Sequence, residues 1–143
     1  MGTFRLRLVS PMRLMYDGDV DMVIMRAKEG DIAFMSGHIP LTTALGYGIM
    51  KIIKGEETRE ASVFGGFVEA NGKSVTVLSD MLEWPDEIDI KRAERARERA
   101  ERAMQEAKDQ VEYRRAELAF RRATVRIEVS TYPIIKGRLT ESS

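Results

Sequence analysis

Glu83-Trp84-Pro85-Asp86-Glu87-Ile88-Asp89-Ile90-Lys91-Arg92-Ala93 is where this chain changes character. Upstream of it, apolar residues such as Phe4, Leu6 and Leu8 recur at every second position, whereas downstream alanines recur at every third or fourth. The first period is that of a strand with one buried face and the second that of a helix, so the stretch divides a β region from a helical one. Pro85 has no N–H for a strand ladder, and Asp86 and Glu87 suit the positive end of a helix dipole. The boundary therefore falls at Leu82 to Pro85.

Downstream, Ala93, Ala96, Ala100, Ala103 and Ala107 form one narrow seam along a helix. Arg92, Arg95, Arg99 and Arg102 run beside it, Glu94, Glu98 and Glu101 take another face, and the pairs Glu87 with Lys91 and Glu98 with Arg102 support the helix weakly. A second helical run from Val111 to about Val129 places Ala116, Ala119, Phe120, Ala123 and Ile127 on its apolar side, with Arg114, Arg115, Arg121, Arg122 and Arg126 around them. The two runs predict an antiparallel αα-hairpin turning near Lys108-Asp109-Gln110. An alanine seam buries little area, and at about 25 cal/mol per Å² its docking is worth only a few kcal/mol before ordering entropy. A hairpin so marginally held is readily biased between two arrangements by a ligand or partner. The plainer reading is an exposed hairpin that its charges only solvate.

Upstream, short β-like runs cover Val20 to Arg26, Ile49 to Ile53, Arg59 to Val63 and Ser74 to Leu78. Turn signals separate them at Asp17-Gly18, Glu29-Gly30, Ser36-Gly37, Lys54-Gly55, Gly65-Gly66 and Asn71-Gly72, the last predicting a tight hairpin. Many short strands without intervening helices favour a sandwich or flattened barrel.

Composition excludes several function classes. The 143 residues, 43% hydrophobic, suit one domain with an appendage or two small domains. Lysine plus arginine equals aspartate plus glutamate at 23 each, which argues against the broad positive field of nucleic-acid binders. Without cysteine there is no thiolate or disulfide chemistry. Neither a transmembrane helix nor a signal peptide is expected. The lone histidine, His38, has no second histidine or cysteine with which to hold a metal, and no nucleophile elbow or phosphate loop surrounds the serines or Gly65-Gly66. His38 reads as a turn or interface residue, and no catalytic residue is assigned.

Four motifs carry a resemblance: Glu29-Gly30-Asp31-Ile32-Ala33-Phe34-Met35-Ser36-Gly37-His38-Ile39-Pro40-Leu41, Val63-Phe64-Gly65-Gly66-Phe67-Val68-Glu69, Val75-Thr76-Val77-Leu78-Ser79-Asp80, and Ile88-Asp89-Ile90-Lys91-Arg92-Ala93. In this order and spacing, over residues 3–129, they resemble the epsilon subunit of bacterial F-type ATP synthase. The resemblance implies a ten-stranded β-sandwich over residues 1–84, a helical hairpin over 85–130 and a tail over 131–143 that exceeds the common family length.

It also implies a central-stalk subunit, not itself an enzyme, that couples a proton- or sodium-driven rotor to the catalytic head. The sandwich would bind the gamma subunit and the c-subunit ring, with Glu29 and Asp31 toward the ring and His38 toward gamma. The hairpin would fold down on the sandwich or extend along gamma, where Arg114, Arg115, Arg121, Arg122 and Arg126 would meet acidic segments of the beta subunits and inhibit ATP hydrolysis. Guanidinium groups suit that task because each binds a carboxylate with two hydrogen bonds. Some family members bind ATP in the folded state through Ile or Leu, Asp, two variable residues, Arg and Ala, which here are Ile88, Asp89, Arg92 and Ala93, with Glu83, Arg99, Arg122 and Arg126 accompanying them. No cofactor is required, and ATP is expected only as a regulatory ligand. A plainer role for Asp89 is to cap the helix, and for Arg92 to solvate it. Departures from the family pattern are Ala33 and Ser36 in the first motif, Phe64 where a small residue is usual, and Trp84-Pro85 at the hairpin entrance.

As part of such a complex the chain is expected at the cytoplasmic side of a bacterial cell membrane, peripherally. A free-standing ATP-binding sensor and a structural αα-hairpin adaptor are the readings from other classes.

Overall fold

A computed structural model describes residues 2–142, with side chains described over residues 2–129. The expected tail over residues 131–143 lies outside the residues whose side chains are described.

Alternation builds the first half as read. In β1 (Phe4–Ser10), Phe4, Leu6 and Leu8 point inward and are buried. The remaining strands are β2 (Arg13–Val20), β3 (Met22–Ala27), β4 (Gly30–Met35), β5 (Leu41–Ala44), β6 (Tyr47–Lys54), β7 (Glu57–Phe64), β8 (Phe67–Ala70), β9 (Ser74–Leu78) and β10 (Leu82–Glu83). They form two five-stranded sheets, β2-β1-β9-β8-β5 and β10-β7-β6-β3-β4. Every pairing is antiparallel except β1 with β9. The inner faces supply one core, in which Leu6, Leu8, Val23, Met50, Val75 and Val77 are fully enclosed.

Five strands, β2, β4, β5, β8 and β10, were not legible as runs, and Asp17-Gly18 is not a turn. These two residues sit in the middle of β2, opposite Arg7 and Leu6. Asp17 accepts a hydrogen bond from Arg5 Nε at 2.6 Å and lies 3.5 Å from Arg7 Nε, so a polar dipeptide that usually breaks a strand is held in one by cross-strand charge. The turn into β2 is at Pro11-Met12, and Asp21 carries the chain from β2 to β3 in the other sheet, its carboxylate accepting from the Gly55 N–H at 2.6 Å. Asn71-Gly72 does turn β8 into β9, with Asn71 Oδ1 accepting from the N–H groups of Lys73 at 3.0 Å and Ser74 at 2.8 Å. Gly66 is required by space as well as by its φ of 99°, since a Cβ there would stand 2.1 Å from the Leu78 carbonyl oxygen.

A short 3-10 turn (Pro85–Glu87) leads into α1 (Ile90–Glu106) and α2 (Gln110–Ser142). The hairpin turn is where periodicity placed it: Asp109 Oδ1 accepts from the Glu112 N–H at 2.8 Å, and Glu112 Oε2 from the Lys108 N–H at 3.0 Å. α2 packs on the outer face of β7 and β6, and α1 packs chiefly on α2. Hence Ala61, Ser62, Val63 and Phe64 are all buried, where a half-covered strand would alternate. In α1 the seam holds at Ala93 and Ala100, both buried, but Ala103 is exposed and Met104 takes the inward place. Three residues from Ala100 fall short of a full helical turn by about 60°, whereas four pass it by only about 40°, so Met104 comes closer to the seam than Ala103.

Candidate functional site at the clasp between sandwich and hairpin

Strand alternation decides what the hairpin meets. Leu82 pairs with Val63 and is buried in the core, so Glu83, opposite Ser62, stands on the outer face beside α2. Arg126 donates to it twice, from Nε to Oε1 at 2.9 Å and from Nη2 to Oε2 at 3.0 Å. A planar guanidinium matches a carboxylate in this two-pronged form, which fixes orientation as well as distance. The side chains are only 28% and 24% exposed, so water screens the pair incompletely. Arg126 also lies 5.1 Å from the Phe64 ring centroid, so the large residue at this unusual position adds a cation–π face. The Ser62 hydroxyl donates to the Glu83 carbonyl oxygen at 3.3 Å and holds β10 in place.

The next residue faces the other way. The Arg59 guanidinium stacks 3.8 Å from the Trp84 ring centroid, and Trp84 meets Tyr16 edge-on at 6.2 Å. Glu87 Oε1 accepts from the Trp84 N–H at 2.8 Å and from Arg13 Nη2 at 2.7 Å. That hydrogen bond to Arg13 holds the Glu87 carboxyl below the usual carboxylate range and raises Arg13 correspondingly. Glu87 is thus not the helix partner of Lys91 that its spacing suggested. It precedes α1, in the 3-10 turn, and is committed to β2.

α1 begins where the fourth motif does. Asp89 caps it, its Oδ1 accepting from the Arg92 N–H at 3.1 Å, and Ala93 is buried one turn later. Ile88 is half-buried in the linker, Arg92 and Arg99 are exposed along α1, and Arg122 is half-buried on α2. Of the residues expected to bind nucleotide, the structure therefore joins Glu83 to Arg126 and gives Asp89 the capping role.

The basic residues of α2 do not share one face. Arg114 and Arg121 are seven residues apart, two turns, and line a groove beside the sheet; Arg115, Arg122 and Arg126 follow a neighbouring line. The residues expected to contact stalk partners also separate. Glu29 is exposed in the β3–β4 turn and Asp31 accepts from Arg26 Nε at 2.9 Å, whereas His38 follows the far end of β4. His38 plugs that end of the sandwich: its ring meets Phe4 and Phe34 edge-on at 5.3 and 5.5 Å, and Nδ1 lies 2.8 Å from the Met35 carbonyl oxygen.

Two features were missed from sequence. Arg13, Tyr16 and Arg59 converge on the linker from positions far apart in the chain, with no periodic signal to join them. On the outer face of the other sheet, Leu14, Val9, Leu78 and Phe67 stand opposite one another in successive strands, and three of them are well exposed. Their contiguity depends on register, which alternation alone does not supply.

Fold and site together define a class of subunit in which a β-sandwich bears a two-helix arm clipped to one face. Two family models divide the chain at the same place: ATP synthase, Delta/Epsilon chain, beta-sandwich domain over residues 3–85 and ATP synthase, Delta/Epsilon chain, long alpha-helix domain over residues 86–131. The chain belongs to the ATP synthase delta/epsilon chain family. It is 43% identical over 98 residues to the ATP synthase epsilon chain of Caldicellulosiruptor saccharolyticus, covering 68% of this chain and 72% of that one. It is 38% identical over 97 residues to the sodium ion specific epsilon chain of Acetobacterium woodii, covering 67% and 73%. A chain of the Euglena gracilis mitochondrial ATP synthase shares the fold with a TM-score of 0.81 at 21% identity, over 92% of this chain and 83% of that one.

Proposed function

We propose that this chain is the epsilon subunit of the central stalk of a bacterial ATP synthase, without catalytic activity of its own, and that its hairpin is a brake on ATP hydrolysis whose released state ATP opposes. The observation that carries the regulatory part is the Arg126–Glu83 pair, a partly buried two-pronged contact between the sandwich and an arm whose buried side chains are alanines and two valines. It is the kind of directional contact that a competing carboxylate or phosphate replaces in kind. Folded, the arm keeps Arg126 on the sandwich. Extended, it presents Arg115, Arg122 and Arg126, with Arg114 and Arg121, to acidic segments of the catalytic head. Arg92, Arg99 and Arg122 carry no ion pair among the described residues and are the cations open to a nucleotide at the folded clasp, with Ile88 and Ala93 at its base.

Gamma, the c-ring and the catalytic head are the partners. The apolar row of Leu14, Val9, Leu78 and Phe67 supports a subunit contact on the sheet opposite the arm, and Glu29 with Asp31 supports a separate one at the loop end. No helix among the described residues is long and apolar enough to cross a membrane, so attachment on the cytoplasmic side of the cell membrane runs through the complex.

The test is ATP hydrolysis by the assembled catalytic complex carrying either the full chain or a version truncated after Trp84, at low and high ATP. Faster hydrolysis on truncation establishes the brake, and disappearance of the difference at high ATP assigns relief to nucleotide. Equal rates throughout leave a stalk subunit whose arm does not inhibit.

A further inference from the structure

A second groove lies away from the clasp. It lies between α2 and the outer faces of β3 and β6, with a volume of about 1280 Å³. The α2 residues that line it, among them Arg114, Leu118, Arg121 and Val125, fall on the opposite side of the helix from the Ala116–Ala123 seam that meets α1. The groove exists because α2 covers β7 and β6 but leaves β3 uncovered.

Its chemistry is mixed in a particular way. The floor is apolar, with Ile24 and Ile49 half-buried on the sheet and Leu118 facing them from the helix. The rim is basic on both walls: Arg26 and Lys28 on the β3 side, Arg114 and Arg121 on α2. Arg114 and Arg121 are exposed and make no ion pair among the described residues, while Asp31 is already taken by Arg26. In a chain of zero net charge, this lining has five basic side chains against three acidic ones.

Length selects the ligand. From Arg114 to Glu128 the helical wall runs about 21 Å at 1.5 Å per residue. That exceeds a mononucleotide and matches about six residues of extended chain at roughly 3.3 Å each. We infer that the groove seats an acidic segment of a partner subunit, extended, with apolar side chains on the Ile24–Leu118 floor and carboxylates on Lys28 of one wall and on Arg114 and Arg121 of the other. The inference requires only the folded arm seen here and is independent of whether the arm brakes hydrolysis.

The chain's lack of cysteine makes the test direct. Ile24→Cys on the sandwich wall carries a thiol-linked benzophenone, and the full chain is photolysed within the assembled ATP synthase. The expected result is a cross-link to one partner subunit, mapped by peptide mass spectrometry to a segment rich in Asp or Glu. Its yield should fall about tenfold in the Arg114→Gln/Arg121→Gln background and remain unchanged with Arg102→Gln on the outer side of α1. The neutral variants keep the helix and remove only charge, and undiminished amide protection of α2 checks that the wall is intact. Cross-links that stay within this chain, map to a segment without acidic residues, or persist undiminished in the double variant would overturn the inference.

Discussion

Sandwich and hairpin are held by opposite strategies. Cohesion in the sandwich is spread over many fully enclosed side chains from both sheets, and no single contact decides it. In α1 only Ala93 and Ala100 are buried, and the helix leans chiefly on α2, which in turn packs on β7 and β6 and is clipped to Glu83 through Arg126. The difference teaches where a switch can be placed. Opening the sandwich would expose its whole core, whereas releasing the arm gives up one helix–sheet contact, with Val125 and Val129 its buried aliphatic side chains, and a few directional bonds, a smaller area that a ligand or partner can offset.

The largest effect expected from this contrast is in the core. Leu6→Ala should cost about 3 kcal/mol of sandwich stability, read by urea unfolding, because Leu6 is fully buried and its neighbours cannot close the cavity completely. Met104→Ala in the half-buried seam should cost under about 1 kcal/mol on the same scale. Equal losses would erase the distinction between the two regions.

Next comes the clasp. Glu83→Gln leaves Arg126 partly buried without its carboxylate and should weaken docking of the arm by about 1–2 kcal/mol. Amide exchange in α2 should then accelerate roughly tenfold, with the unfolding midpoint of the sandwich unmoved. If exchange in α2 stays at its original rate, the arm is held by packing alone. A paired test sharpens the seam: Ala100→Leu should separate the helices at about 1–3 kcal/mol, while Ala103→Leu should stay within about 0.5 kcal/mol because that side chain already faces water.

How much of this was legible follows the range of each interaction. Alternation gave β1, β3, β6, β7 and β9, the alanine spacing gave the hairpin, and Pro85 gave the boundary, because each is a local property of the chain. The middle of β2 was not legible, since Asp17-Gly18 is kept extended by Arg5 and Arg7 on a different strand. For the candidate site, the motif residues were legible but their roles were not. Asp89 is engaged as a cap and Glu83 as a clasp, which depend on where β10 lies beside α2. Arg13 and Arg59 were invisible for the same reason, as both reach the linker from distant strands. The groove beside α2 was hidden because the sequence shows which face of a helix is apolar but not how far that helix extends across a sheet.

The smallest effect expected is on pH, and it separates the linker from both larger regions. Arg13 holds the Glu87 carboxyl below its ordinary range, so this contact favours the folded linker above the usual glutamate pKa of about 4.3 and is lost as pH falls through the lowered value. Its contribution is modest, since Arg13 and Glu87 are 42% and 37% exposed and water screens them. Trp84 is the chain's single tryptophan, its ring stacked on Arg59 and its backbone N–H bonded to Glu87, so its fluorescence reports the linker. Titrated from pH 7 downward, the emission should change below about pH 4, before the sandwich unfolds, and Glu87→Gln should flatten that step without shifting the unfolding that follows. A step that survives Glu87→Gln would belong to the carboxylates of the sandwich, such as Asp17 on Arg5, and the linker would then answer to acid only as part of the domain that carries it.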